Sequence, residues 1–348
     1  TLQQATRGRG RGEGRRAAEA GRQELGRALG EHTGATFAQE GFDGLCSLVE
    51  LALSQMTQAT SPVFDAFLVC AHPPPASAQG RAHGVIVYHL DFPRQPEGEP
   101  VPLDPGSGKP RSGKPPSGVE HFCFPVDPAV GTPPSNYTIV RTLDDGTRQY
   151  GFCRSVTLDG VGEGEEEPTT EVLCLLSRYP WFSMFEAVML PVAEARVKGG
   201  YAAVEQLLDA IFDYAAESFP MPGERFKIER PEQEGESLFL TRPNDELSPL
   251  IDVDYCDLFR SMGVEGVAAI LRSLLAEGHC VFVSADFRRL GMVVQAAASM
   301  LYPFKWQHIF VPILPHSWID YITAPMPFVC GIHASMLDEV LQQPIEDS

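Results

Sequence analysis

Residues 280–314 read CVFVSADFRRLGMVVQAAASMLYPFKWQHIFVPIL, and their pattern decides the fold of the C-terminal half. Cys280 to Ser284 is a short, almost wholly apolar run of the kind that forms a buried strand. Arg288 to Leu301 has helical spacing, and Ile309 to Leu314 is a second apolar strand. Strand, helix and strand at this spacing predict a βαβ unit in a parallel sheet with both faces covered.

Upstream of it, Val264 to Ala276 predicts a helix closed by Gly278 at its C′ position. Downstream, Phe328 to Gly331 predicts one more strand before a final helix. Tyr201, Val204, Leu207, Leu208, Ile211 and Phe212 fall on one helical face. Residues 221–250 are polar with four prolines and predict an extended connection.

Toward the N-terminus the pattern changes to antiparallel structure. Val63 to Cys70 and Gly84 to Leu90 predict strands. Tyr137 to Leu143 and Arg148 to Arg154 predict hairpin arms joined by Asp144-Asp145-Gly146-Thr147. Val172 to Ser177 is a further strand, and Trp181 opens a helix that Pro191 is expected to kink or end. The chain thus divides near residue 195. Residues 1–60 are expected to be a disordered basic tail with an amphipathic helix at 42–57, residues 61–195 an α+β lobe, and residues 196–348 an α/β lobe. The fold class is α/β.

Composition excludes several functions. The net charge of −19 at pH 7 argues against nucleic acid or an anionic membrane as a general partner, since both are polyanions. Residues 1–30 are locally basic, with seven arginines against three glutamates, and read as a solvated tail. The eight cysteines are scattered with no CxxC, the pattern of buried thiols in a reducing compartment. Cys330 and His333 offer two metal ligands without a second pair, so no metal site is expected there. Gly108 to Lys114 satisfies GxxxxGK, but Pro115 stands where a P-loop needs Ser or Thr, and no helix can follow. No run of 18 apolar residues occurs, and no nucleophile elbow, HExxH or dinucleotide motif is present. No cofactor and no bond-breaking site are expected.

Longer motifs carry a resemblance. Leu301 to Pro315, Asp320 to His333, Phe122-Cys-Phe-Pro125, Arg148 to Arg154 and Cys174 to Phe182 are similar to the upstream and central regions of the DENN domain family. Pro180-Trp181-Phe182 and Ala324 to Phe328 look most like its connecdenn (DENN-domain 1) subfamily. The resemblance implies a longin-like N-lobe, a three-layer α/β C-lobe, and guanine-nucleotide exchange on a Rab-family GTPase held across both. A catalytically silent scaffold that docks a GTPase or a clathrin-coat component is the alternative. A GTPase-activating role ranks last, because Arg141, Arg148 and Arg154 lie in or beside predicted strands and match no arginine-finger loop.

Further expectations follow from the family. The protein is expected in the cytoplasm, recruited peripherally to endocytic vesicles or endosomes. Clathrin-adaptor and phosphoinositide contacts would use regions outside this chain. The family pattern continues beyond Ser348 into a downstream region, so the C-lobe is expected to be truncated. By position, the expected Rab contacts are Trp181, Phe182 and Glu186 at a helix start, Phe259, Arg260 and Ser261 in a connection, and Asp286 at a strand end. Each of these could equally serve packing or capping.

Overall fold

The computed structural model describes residues 62–71, 84–92, 116–126, 136–143, 145–158, 169–231, 233, 235–244, 252–253 and 255–343. The expected tail, the helix at 42–57 and the GxxxxGK stretch lie outside the described residues. The described residues belong to one compact unit, Pro62–Ser348.

Alternating apolar positions fold the first lobe into a five-stranded sheet. Its strands are β1 (Ala66–Ala71), β2 (Val85–Asp91), β3 (Asn136–Thr142), β4 (Arg148–Leu158) and β5 (Thr169–Ser177). They lie in the order β2-β1-β5-β4-β3, and all pair antiparallel. This is the longin-like arrangement implied by the resemblance. Because side chains alternate across a strand, Phe67, Val69, Leu173 and Leu175 face one way, while Leu68, Cys70, Cys174 and Leu176 face the other. A short helix, α1 (Val119–Cys123), covers the second face together with Phe287 and Ile313. The first face packs on the long helix α2 (Phe182–Glu217).

Helix α2 corrects the expectation at Pro191. The helix runs through that residue and breaks at Gly200, whose φ of 70° and ψ of −158° suit glycine. The boundary read near residue 195 therefore falls inside a helix. The stretch expected as an extended connection contains a hairpin instead, β6 (Arg225–Glu229) with β7 (Ser237–Thr241). Its buried residues Phe226, Ile228 and Leu240 alternate with exposed ones, a pattern hidden by the surrounding prolines.

The second lobe carries α3 (Tyr255–Leu275), β8 (Cys280–Ser284), α4 (Phe287–Ser299), β9 (Ile309–Val311), β10 (Phe328–His333) and α5 (Leu337–Gln342). Its sheet is parallel, as expected, with β10 between β8 and β9. Helices α3 and α4 cover one face. A 3-10 segment, His316–Thr323, and α5 pack on the other. That second cover is partial, since Val281 and Val283 of β8 stay 37% and 40% exposed. Helix α3 begins nine residues before the expected start and breaks at Gly263 (φ 66°). It closes with Glu277 in the left-handed region (φ 53°) rather than with Gly278.

The lobes share one hydrophobic core, which joins Val140, Tyr150 and Phe152 to Leu290, Val294 and Val329. Helix α4 lies close against β3: a Cβ on Gly291 would stand 3.3 Å from the Thr138 carbonyl oxygen. Arg148 donates to the Trp306 carbonyl at 2.7 Å, and its guanidinium sits 4.2 Å from the centre of the Phe310 ring. Burial pushes its pKa down, yet this carbonyl and ring satisfy the cation.

Candidate functional site

Where β3, the start of α2 and the start of α4 converge, they leave a cleft of about 310 Å³. Its apolar wall is formed by Phe152, Phe182, Met189 and Met292. The polar rim is made by Asn136, Glu186, Arg288, Asp252 and Arg154.

Glu186 organises that rim. One carboxylate oxygen accepts from Asn136 Nδ2 at 2.7 Å and lies 2.9 Å from an Arg288 nitrogen. Arg288 also donates to the other oxygen at 3.1 Å. Glu186 thus connects the first lobe's β3 to the second lobe's α4. Its side chain is 44% exposed and that of Arg288 59%, so both remain open to a partner. Such an exposed pair contributes about 1 kcal/mol or less to stability.

Asp252 accepts a hydrogen bond from the Ser183 backbone N–H in the first turn of α2. Burial raises its carboxyl pKa, that N–H partly offsets the rise, and the nearby Glu186 charge adds to it. Two carboxylates therefore share the mouth, and Arg288 grips one of them. The cleft's rim carries charged groups of both signs. Among the described residues it contains no paired nucleophile and base.

The expected contact residues separate into four groups. Phe182 and Glu186 line the cleft. Trp181 instead faces the core at 1% exposure, stacked on Tyr179 with ring centres 4.4 Å apart and capped by Arg242 at 4.9 Å. At that exposure its side chain packs in the core, with the Phe185 ring 6.2 Å away and the Phe219 ring 5.8 Å away.

Phe259, Arg260 and Ser261 lie in the first part of α3, not in a connection. Phe259 is 44% exposed, Arg260 pairs with Asp257 at 2.8 Å, and the Ser261 hydroxyl donates to the Asp257 carbonyl at 2.6 Å. None of the three lines the cleft. Asp286 caps α4, accepting from the Arg289 N–H at 3.1 Å, and so fixes the turn that carries Arg288.

Sequence reading missed Asn136, Asp252 and Arg288. Each gains its meaning from a partner distant in sequence, and a single chain read in order gives no sign of that pairing.

The comparisons agree with this architecture. Residues 168–348 match the DENN (AEX-3) domain, and residues 92–156 the uDENN domain. DENN domain-containing protein 2B of mouse and of human is 34% identical over 237 residues, which is 66% of this chain and 20% of the relative. Human DENN domain-containing protein 2C is 32% identical over 235 residues, 66% of this chain and 24% of the relative. Mouse DENN domain-containing protein 2D is 30% identical over 237 residues, 66% of this chain and 48% of the relative. The chain thus spans between 20% and 48% of the length of these proteins.

These relatives overturn the likeness to the connecdenn subfamily, because they are members of the DENN domain-containing protein 2 group. The physical reason lies in the residues that suggested it. Trp181 and Phe328 are 1% and 2% exposed, and core positions report the shared fold rather than a subfamily. Among the described residues no helix is long and apolar enough to cross a membrane. The fold, its lobes and the domain matches together place this chain in the DENN domain family, whose members act generally as exchange factors for Rab GTPases.

Proposed function

We propose that this chain promotes GDP release from a Rab-family GTPase, with the cleft between β3, α2 and α4 forming part of the surface that holds the GTPase. The observation that carries the reading is Glu186, which touches both lobes and remains open to solvent. A partner docking there engages both lobes at once. Phe182, Met189 and Met292 supply an apolar wall, and the charged rim supplies orientation.

Exchange needs no covalent chemistry. The protein must bind the nucleotide-poor GTPase more tightly than the nucleotide-bound form, and the rate gain comes from that difference. Each tenfold difference corresponds to about 1.4 kcal/mol, within reach of a few charge-assisted hydrogen bonds. The same proposal extends to the intact protein: peripheral recruitment to endocytic vesicle or endosome membranes, with adaptor and phosphoinositide contacts made by other regions.

Release of fluorescent GDP across a panel of Rab proteins tests the reading. The intact protein accelerates release from one or a few of them, and Glu186→Ala with Arg288→Glu slows that release at least about tenfold, equivalent to 1.4 kcal/mol. Acceleration of no Rab at all would remove the exchange reading. Binding equally tight to GDP-bound, GTP-bound and nucleotide-free Rab would favour the docking scaffold.

A further inference from the structure

Arg154 of β4 is half-buried and lines the cleft, yet among the described residues its guanidinium holds no carboxylate, carbonyl or ring. Other arginines drawn in from solvent are placed differently. Arg148 donates to the Trp306 carbonyl and Arg242 to the Pro220 carbonyl, each at 2.7 Å. Arg196 grips Glu171 at 2.8 Å, and Arg230 lies 3.3 Å from both Glu194 and Glu236. Each of these cations recovers through a partner what it loses in hydration. Arg154 loses hydration and recovers nothing.

The strand register fixes where it stands. Arg154 is opposite Asn136 in the β3–β4 pairing, and Asn136 donates to Glu186. Alternation along β4 puts Arg154 on the face that carries Phe152 and Val156, and the Phe152 ring lies 6.1 Å from that of Phe182. Arg154 is therefore beside both the apolar wall and the foot of the interlobe bridge. The acids of the cleft are engaged elsewhere: Glu186 with Arg288 and Asn136, Asp252 with the Ser183 N–H.

We infer that Arg154 receives a carboxylate of the docked GTPase, carried on a segment that also lays an apolar side chain against Phe182 and Met292. The inference rests on the exchange reading above and adds the chemistry of the contact. An arginine fork takes a carboxylate through two parallel N–H···O bonds. A phosphate fits less well, because it would bring about two negative charges to a mouth that already holds Glu186 and Asp252. A carboxylate brings one. The apolar neighbour on the same segment excludes water from the pair and strengthens it. Since the cation is unpaired in the free protein, its pairing energy goes into binding and not into folding. A Rab with a neutral or basic residue at that point would leave Arg154 covered and unpaired, which discriminates against it.

GDP release and Rab binding by the intact protein and its Arg154→Gln and Arg154→Glu variants test this. Melting temperatures of both variants should match the parent, since the side chain has no partner to lose. Arg154→Gln should lower kcat/KM for the responsive Rab about tenfold, mainly through KM, and Arg154→Glu should lower it further. Reversing surface acids of that Rab to Lys, one at a time, should reveal a position that slows exchange by the parent and restores it with Arg154→Glu. If either variant unfolds, Arg154→Lys takes its place and should show a partial loss, because it keeps the charge without the fork. Where a Rab binds without faster release, affinity is read instead of rate. Parent-level activity in folded Arg154→Glu would overturn the inference and leave the exchange reading standing. A loss that no Rab reversal rescues would overturn the carboxylate partner. A parent that neither binds nor accelerates any Rab would remove both readings.

Discussion

Arg196 grips both carboxylate oxygens of Glu171, Nε to Oε2 and the terminal nitrogen to Oε1, each at 2.8 Å. The same guanidinium lies 4.1 Å from the centre of the Tyr201 ring, and the Tyr201 hydroxyl donates to Glu171 at 3.1 Å. Since Arg196 precedes the Gly200 break in α2 and Tyr201 follows it, Glu171 on β5 staples the two halves of the helix. The pair is nearly buried, with side chains 8% and 13% exposed. Removing one partner strands the other charge. Glu171→Ala should therefore cost about 3–5 kcal/mol, read by denaturant unfolding, and Glu171→Gln distinctly less. A cost near that of an average surface substitution would show that the staple carries no strain.

Tyr201 gives the pH counterpart. Burial first, and then the Glu171 charge, push its pKa up to about 12 from the ordinary 10. The unfolded chain loses this proton before the folded one does, so the contribution is complete below pH 10 and is lost as pH rises toward 12. Alkaline melts should show this decline, and Tyr201→Phe should flatten it. Identical alkaline slopes in the two proteins would refute the assignment.

Asp252 behaves in the same direction at acid pH. Burial raises its pKa, so the folded state favours the protonated carboxyl. The stability this brings is present below the ordinary carboxylate value and disappears as pH rises through the raised one. Asp252→Asn retains an acceptor for the Ser183 N–H. Its melting temperature relative to the parent should be higher at pH 7 than at pH 4, and an equal difference at both would count against the account.

Gly331 occupies the centre of the parallel sheet on β10. A Cβ there would stand 2.2 Å from the Pro312 carbonyl oxygen and 2.9 Å from Leu290 Cγ. Backbone cannot yield as a side chain can. Gly331→Ala should destabilise by about 2 kcal/mol or more, several degrees in thermal unfolding. An unchanged melting temperature would mean that the β9-to-β10 approach is looser than described.

Trp181 and Phe259 separate packing from contact. Trp181→Ala should cost about 3–5 kcal/mol and lower exchange only as far as it unfolds the protein. Phe259→Ala, on an exposed helix face, should leave stability within about 0.5 kcal/mol. A slower exchange rate in that variant would extend the docking surface from the cleft to α3.

Much of this fold was legible because its signals are local. The strand–helix–strand run from Cys280 to Leu314 and the Asp-Gly hairpin each announce themselves within a few dozen residues. The β6–β7 hairpin was not legible, since Pro222, Pro231 and Pro243 outweighed the short alternation of Phe226 and Ile228. Pro191 misled in the other direction. A proline removes one N–H from a helix, whereas the backbone at Gly200 departs from helix altogether. Half of the cleft could be guessed from Phe182 and Glu186 at a helix start. Arg288 and Asn136 could not, because a salt bridge between residues 186 and 288 leaves no trace in either neighbourhood.

The close approach of α4 to β3 also bears on how this protein is made. A ribosome delivers the five strands first, with β3 at the margin of the sheet and its future cover unsynthesised until Gly291 emerges. For that interval the nascent lobe presents an open strand, the kind of surface that recruits other chains. The shared core makes completion of the lobes a joint event, because Val140, Tyr150 and Phe152 of the first lobe find part of their packing only in Leu290, Val294 and Val329 of the second.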